Sequence, residues 1–178
     1  LQNNKTTGDN HSEAYLDYTQ MNVRRMERLD KHIEIHPDVV EQLVKAQKQT
    51  WIVLTEAWCV DAAQNIPIIA KMAAKSEHIN LQLILRDENL DIMDAYLTNG
   101  KSRSIPKLIA AAENGEELFT WGPRPSTIQN LYTSLREEGL VYATIAEKVH
   151  LAYARDKTKE LQDEIKELLQ KTVSGLRV

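Results

Sequence analysis

The stretch "TWIVLTEAWCVDAAQNIPIIAK", Thr50 to Lys71, changes from a strand pattern to a helix pattern at the only cysteine in the chain, Cys59. Its first part, "TWIVLTEAW", is short, β-branched and aromatic, which predicts a buried strand. From Val60 to Lys75 the apolar residues follow a helical period, and Pro67 should kink this helix. Because the cysteine lies at the corner between strand and helix, it is the first candidate for a functional residue.

Composition limits the possible functions of the chain. Its 178 residues suffice for one domain with an added helical layer. A net charge of -4 leaves no dominant basic face, so we expect no nucleic-acid partner. No apolar run approaches the ~20 residues that a membrane span needs, so no membrane association is expected. A single cysteine excludes an intramolecular disulfide and fits a reducing, cytoplasmic location.

The flanking sequence predicts further helices. Two precede the quoted stretch: "NHSEAYLDYTQMNVRRMERLDKHI", with a capping box formed by Asn10 and Glu13, and "HPDVVEQLVKAQKQ". Near the end, a capping box of Ser126 and Gln129 predicts another helix. The tail then predicts two helices separated at 154–157.

The strand signals predict the sheet. "INLQLILR" is a second strand, followed by a short helix, "NLDIMDAYLTNG", that should end at Asn99 and Gly100. "SIPKLIAAAENGEELFTW" predicts a hairpin with its turn at Asn114–Gly115. Strand–helix–strand implies a parallel pair with a right-handed crossover, and the hairpin adds antiparallel strands. The fold class is therefore α/β, with a mixed central sheet flanked by helices.

Four local features, in this order, resemble the thioredoxin fold over residues 50–138. Trp58-Cys59 match the tryptophan and nucleophilic cysteine of that family, Pro67 the proline in its active-site helix, and Ile105-Pro106 its cis-proline dipeptide. The glycines of the hairpin and of the last strand complete the series: Gly115 and Gly122. We expect one thioredoxin-like domain, with a helical extension at 1–49, a core at 50–139 and a second helical extension at 140–178. The added helices, with "WGPRP" and "YARDK", resemble a bacterial subfamily of thioredoxin-like proteins.

The sequence departs from the family pattern at three positions. Ala62 stands where the resolving cysteine of a dithiol oxidoreductase is needed, and Asp61 where the family usually has proline. The buried acid of many thioredoxins would fall at Val53. The resemblance therefore implies at most a single active-site cysteine, and this chain is not expected to cycle as an ordinary thioredoxin.

The state of Cys59 depends on opposing effects. A helix N-terminus favours the thiolate, but Asp61 and Glu56 are close in sequence and disfavour it. No lysine or arginine is adjacent to offset them. We expect a thiol pKa of ~7–8.5, against a free value of ~8.5. A reactive monothiol and a small cysteine packed beneath Trp58 both remain open.

Two functions follow from the resemblance. The first is monothiol redox activity through Cys59, with Trp58, Ile105 and Pro106 binding the substrate. Asp61 or Glu56 would relay the proton of the thiol or modulate its pKa. Its partners would be a protein disulfide or a small thiol such as glutathione.

The alternative is a non-catalytic thioredoxin-fold binding module, so the sequence leaves open whether the protein is an enzyme. A glutaredoxin-like enzyme is less favoured because no Gly-Asp pair follows the last strand. No cofactor or metal is expected, since His32 and His36 have no third ligand nearby. The sequence does not predict an oligomeric state.

Overall fold

The structure is a computed structural model and describes residues 5–173. A short 3₁₀ helix, Arg86–Glu88, follows the second strand. The strands are β1 (Gln49–Thr55), β2 (Ile79–Leu85), β3 (Lys107–Ala112) and β4 (Glu117–Trp121). The helices are α1 (Glu13–His32), α2 (Pro37–Lys45), α3 (Val60–Ala73), α4 (Leu90–Ala95), α5 (Ser126–Glu137), α6 (Tyr142–Asp156) and α7 (Lys159–Val173).

The four strands form one mixed sheet in the order β2-β1-β3-β4. β1 and β2 are parallel, with Val53 opposite Leu83, and α3 is the crossover between them. β3 lies antiparallel to β1 on its other side, with Leu108 opposite Val53, and β4 is antiparallel to β3. The predicted α/β fold with a mixed central sheet is confirmed.

The core forms around β1, because a central strand is covered on both faces. Trp51, Val53 and Leu54 are completely buried there, whereas Leu83 on the edge strand β2 keeps half of its surface exposed. The β-branched and aromatic run that predicted this strand is what fills the interior. Other elements add further fully buried side chains: Leu43, Ile69, Met72, Leu108, Ile165 and Leu169.

The extra helices at both ends are part of this packing. α1 packs along α3, α2 packs against α7, and α7 also contacts β4. α5 and α6 pair with each other around a second small cluster that contains Ile128, Ile145 and Val149. The predicted break in the tail is present, since Lys157 adopts a left-handed conformation that ends α6. Within residues 5–173, no helix is both long and apolar enough to cross a bilayer.

The two predicted capping boxes are wrong. α1 begins after Ser12, whose backbone amide donates to the side chain of Asn10, and its first turn has no side-chain cap. α5 begins at Ser126 itself, so this residue cannot be the N-cap. Two carboxylates of α7 accept from the free amides of α5 instead: Glu164 from Ser126, and Glu160 from Thr127. A neighbouring helix thus satisfies donors that local sequence was expected to satisfy.

The helix after β2 also ends earlier than predicted. α4 stops at Ala95, and Asn99 and Gly100 lie in a later turn, where both have positive φ. These residue types marked a left-handed turn correctly, but the turn belongs to the loop leading to β3.

Candidate functional site

Cys59 is the N-cap of α3, at the point where the chain leaves β1. Its sulfur accepts the backbone N–H of Ala62 at 3.4 Å, which satisfies one of the free donors at the helix start. The thiol proton is directed to the carbonyl oxygen of Ile105, 3.3 Å away. Only 8% of the residue is exposed. The sulfur therefore forms part of the wall between α3 and the loop before β3.

Pro106 lies in that facing loop, and the Ile105–Pro106 peptide bond is cis. The loop is held against the end of β4, where Gly122 has a φ of +112°. A Cβ at Gly122 would come within 2.2 Å of the carbonyl oxygen of Pro106. Glycine is required at this position both by its backbone conformation and by the close approach of the backbone at Pro106.

A groove of about 440 Å³ opens beside the sulfur. Trp58 forms part of its wall, half-buried, with the Tyr15 ring 5.0 Å away and the guanidinium of Arg86 5.1 Å from its ring centroid. Further aromatic and basic side chains line the groove: Tyr18, Tyr132, Tyr142, Arg103 and Arg124. Tyr142 is 54% exposed. A cluster of aromatic rings that includes a largely exposed one is typical of a binding surface.

Asp61 forms a bidentate ion pair with Arg124. The two carboxylate oxygens lie 2.6 Å and 3.0 Å from guanidinium nitrogens, and only 13% of Arg124 and 14% of Asp61 side-chain surface is exposed. Tyr153 of α6 donates a third hydrogen bond to the same carboxylate, at 3.1 Å. Burial raises the pKa of Asp61, against the lowering effect of Arg124. Burial alone would lower the pKa of Arg124, but the charge and hydrogen bond of Asp61 outweigh it and raise that pKa.

The network continues from Tyr153 into α3. The amide nitrogen of Asn65 donates to the Tyr153 hydroxyl at 3.0 Å and to the carbonyl of Pro123 at 3.3 Å. Arg124 also stacks on the ring of Tyr132, with 3.9 Å between its central carbon and the ring centroid. These contacts connect the Cys59 helix with α6 and with the loop before α5.

The Cys59 thiol is stabilised in its neutral form. Burial, followed by the negative charge of Asp61, raises its pKa to about 12. The N–H groups of Ala62 and Asp61 and the charge of Arg124 lower the pKa, but by less. The range of ~7–8.5 expected from sequence is too low, because it treated the sulfur as exposed and gave full weight to the helix terminus.

Glu56 does not line the groove. It is 1% exposed, and one carboxylate oxygen accepts the backbone N–H of Asp87 at 2.9 Å. The other oxygen has no hydrogen-bond partner among the residues that the structure describes. Nearby, buried Asn22 of α1 donates to the carbonyl of Ala57 at 2.9 Å. Glu56 and Asn22 therefore hold the backbone around the corner between β1 and α3 in place without lining the groove.

The sequence analysis did not predict that Arg124 and Tyr153 belong to the site around Cys59. They lie 63 and 92 positions from Asp61, so no local sequence signal connects either of them to the cysteine. No lysine or arginine is adjacent to Cys59 along the sequence. The expectation that no cation offsets the nearby acids is nevertheless wrong, because the loop before α5 delivers Arg124 to the first turn of α3.

Comparison with known families agrees with this geometry. A family model described as Thioredoxin matches residues 8–136, more than half of the chain. The chain belongs to the thioredoxin family. The match starts before the predicted core and includes α1 and α2, so the N-terminal helices are part of the family pattern in this thioredoxin-like protein.

Two solved structures share the fold. One is a protein of unknown function from Pseudomonas aeruginosa, with 15% identity and a TM-score of 0.61 over 86% of this chain and 84% of that chain. The other is an HIV epitope-scaffold, also with 15% identity and a TM-score of 0.61, over 86% of this chain and 85% of that chain. A comparison with curated proteins returns no match. At this identity the likeness supports the fold alone.

Proposed function

We propose that this thioredoxin-family protein is a binding module that holds an extended segment of a partner polypeptide in the groove beside Cys59. The observation that carries the proposal is the state of the thiol: 8% exposed, donating to Ile105, with a pKa of about 12. At neutral pH a thiol whose pKa is raised this far is almost entirely protonated. Cys59 then acts as a packed part of the groove wall.

The chemistry of the groove favours apolar and aromatic partner side chains. Its three arginines already have acidic neighbours within the chain: Arg86 pairs with Asp87, Arg103 with Asp94, and Arg124 with Asp61. Tyrosine and tryptophan rings line the groove, and Tyr142 is the most exposed of them. Large rigid rings contribute most of the free energy at protein interfaces at low entropic cost. Trp58, Ile105 and Pro106 are proposed to contact the bound segment.

Monothiol redox activity is the second candidate, and one observation favours it: Cys59 lines the groove and accepts an N–H from the start of α3. In that reaction the Cys59 thiolate would attack a partner disulfide, forming a mixed disulfide and releasing one partner thiolate. A glutathione thiolate would then attack the partner sulfur of the mixed disulfide, releasing the Cys59 thiolate and forming a partner–glutathione disulfide. A second glutathione thiolate would attack the glutathione sulfur of that disulfide, giving oxidised glutathione and the second partner thiolate. Asp61 would modulate the pKa of the thiol in this scheme.

The test is peptide binding with and without the thiol. Peptides selected from a random display library on the purified protein are measured by fluorescence anisotropy against variants. Cys59→Ser should change the dissociation constant by less than about twofold, because serine fits the same N-cap position. Tyr142→Ala should weaken binding by about tenfold or more, as expected for a central aromatic contact. Leu151→Ala is the matched control, since Leu151 lies on the same helix, is 49% exposed and does not line the groove.

Two results would reject the binding-module proposal. One is a stable glutathione adduct at Cys59, detected by intact mass after incubation of the native protein with oxidised glutathione. The other is loss of peptide binding in Cys59→Ser while Tyr142→Ala binds normally. Either result would favour the redox candidate instead.

A further inference from the structure

A second cavity, of about 660 Å³, is lined by Tyr153, which donates a hydrogen bond to Asp61 in the lining of the Cys59 groove. α1, α3 and α6 form its walls, and the start of α7 closes one end. Its size is in the range of about 300–1,000 Å³ that is typical of small-molecule sites. The thiol groove and this cavity share no lining residue.

Two guanidinium groups face this cavity from α1. Arg25 and Arg28 are three positions apart, so they lie on one face of the helix. Burial, and then the neighbouring charge of Arg28, lowers the pKa of Arg25. Among residues 5–173 neither arginine forms an ion pair, although Arg25 donates a hydrogen bond to Asn22. The charge of Asp61 acts on Arg25 in the opposite direction. Arg28 is exposed, so an anion at the rim of the cavity could pair with both guanidinium groups.

The charged side chains of the lining leave a small positive balance. Arg25, Arg28 and Lys157 are its cations, Glu34 and Asp156 are its carboxylates, and their formal sum is +1. Burial, and then the charge of Arg25, lowers the pKa of His150 to about 4, so this imidazole is neutral at physiological pH.

The deeper part of the cavity is apolar, with one polar atom that lacks a partner. Leu29, Ile68 and Leu161 line it. Asn65 also lines it and is 1% exposed; its side-chain oxygen has no hydrogen-bond partner among the residues that the structure describes. Less than 1 Å² of that oxygen is exposed, so it is enclosed by the protein behind the apolar lining.

We infer that this cavity is a binding site for a small amphipathic organic anion. Arg25 and Arg28 hold its carboxylate, sulfonate or phosphate group at the rim. Its apolar body packs against Leu29 and Ile68. The site is independent of the peptide groove and of any chemistry at Cys59.

The probe that tests this site is 8-anilinonaphthalene-1-sulfonate, which carries a sulfonate and two apolar ring systems. Native protein should bind it at one saturable site, followed by fluorescence titration. Arg28→Gln should weaken binding about tenfold, the scale of one charge-assisted hydrogen bond. Ala154→Trp should abolish binding by filling the cavity mouth, since Ala154 lies exposed in its wall.

Three controls establish that the probe binds in this cavity of the native protein. Arg24→Gln changes the same charge on the same helix at a position outside the cavity and should leave the affinity unchanged. Tyr142→Ala alters the Cys59 groove and should also have no effect. Near-ultraviolet circular dichroism of each variant must show native packing, because the probe also binds loosened proteins. Absence of saturable binding, equal weakening by Arg24→Gln and Arg28→Gln, or weakening by Tyr142→Ala alone would overturn the inference.

Discussion

The thiol of Cys59 donates its hydrogen bond to the carbonyl oxygen of Ile105, with 3.3 Å between sulfur and oxygen. A thiolate has no proton to donate and would face the negative end of that carbonyl dipole. The contact therefore favours the neutral thiol, in the same direction as burial and as the charge of Asp61. In this chain the residue before the cis-proline stabilises the resting thiol, which is the physical basis for proposing a binding role.

Removing the charge of Asp61 should activate the thiol. In Asp61→Asn the neighbouring anion is lost while Arg124 keeps its positive charge, so the pKa of Cys59 should fall. We expect alkylation by iodoacetamide at a fixed pH of about 8 to accelerate on the order of tenfold, equivalent to about one pKa unit. Asp91→Asn, at an exposed acid in α4, is the control and should react like the wild type.

The same substitution should also destabilise the fold. Arg124 would be left as a buried cation without its partner, which typically costs about 3–5 kcal/mol. Urea unfolding measures this loss, and alkylation must be compared under conditions where both variants are folded. An Asp61→Asn protein that is folded and yet alkylates no faster would show that Asp61 does not control the thiol.

Gly122→Ala should disrupt the packing of the end of β4 against the loop that contains Pro106. The new Cβ would meet the carbonyl oxygen of Pro106, and the φ of +112° excludes other residues on steric grounds. We expect a loss of more than about 3 kcal/mol in the free energy of unfolding.

Gly139→Ala is the matched comparison for that change. Gly139 also has a positive φ, of +73°, but its Cβ would meet no atom within 4 Å. It should lose only about 1 kcal/mol, from backbone conformation alone. Equal urea midpoints for the two variants would mean that the close approach of Gly122 to Pro106 does not exist.

Acid should weaken the fold partly through His150. Burial and Arg25 lower its folded pKa to about 4 from an ordinary 6.5, so the unfolded chain takes up a proton at higher pH than the folded protein. Its contribution to stability is present above pH 6.5 and is lost as the pH falls from about 6.5 to 4. Between about pH 7 and pH 5 the loss should be about 1–2 kcal/mol, allowing for solvent screening.

Urea unfolding of His150→Gln at the two pH values checks this. The variant should lose about 1–2 kcal/mol less than the wild type over the same interval. His78→Gln, at an exposed histidine outside the cavity, should behave as the wild type does. An unchanged acid sensitivity in His150→Gln would contradict the assignment.

The fold could be predicted because its signals are local. The β-branched run before Cys59, the helical period after it, and the Asn114–Gly115 turn each depend on neighbouring residues. Their order then left few topologies, since a parallel pair needs a crossover and a hairpin does not. The caps could not be predicted in this way, because the acceptors for the start of α5 come from α7, over 30 residues later.

The site was predictable in its positions and less so in its electrostatics. Cys59 and Pro106 could be placed opposite each other from the family pattern. The burial of the sulfur depends on how the loop at Ile105 and the added helices cover it, and the partner of Asp61 is 63 residues away. A pKa depends on these distant contacts more than on sequence neighbours. Sequence alone therefore favoured chemistry and packing equally.

The pKa of Cys59, measured from the rate of iodoacetamide alkylation as a function of pH, separates a packed thiol from a reactive one. On the folded protein we expect a slow reaction and no inflection below about pH 10, in accord with a pKa raised to about 12. In denaturant the same thiol should titrate near its free value of ~8.5. An inflection near pH 7 in the folded protein would contradict the binding role and assign Cys59 to thiol chemistry.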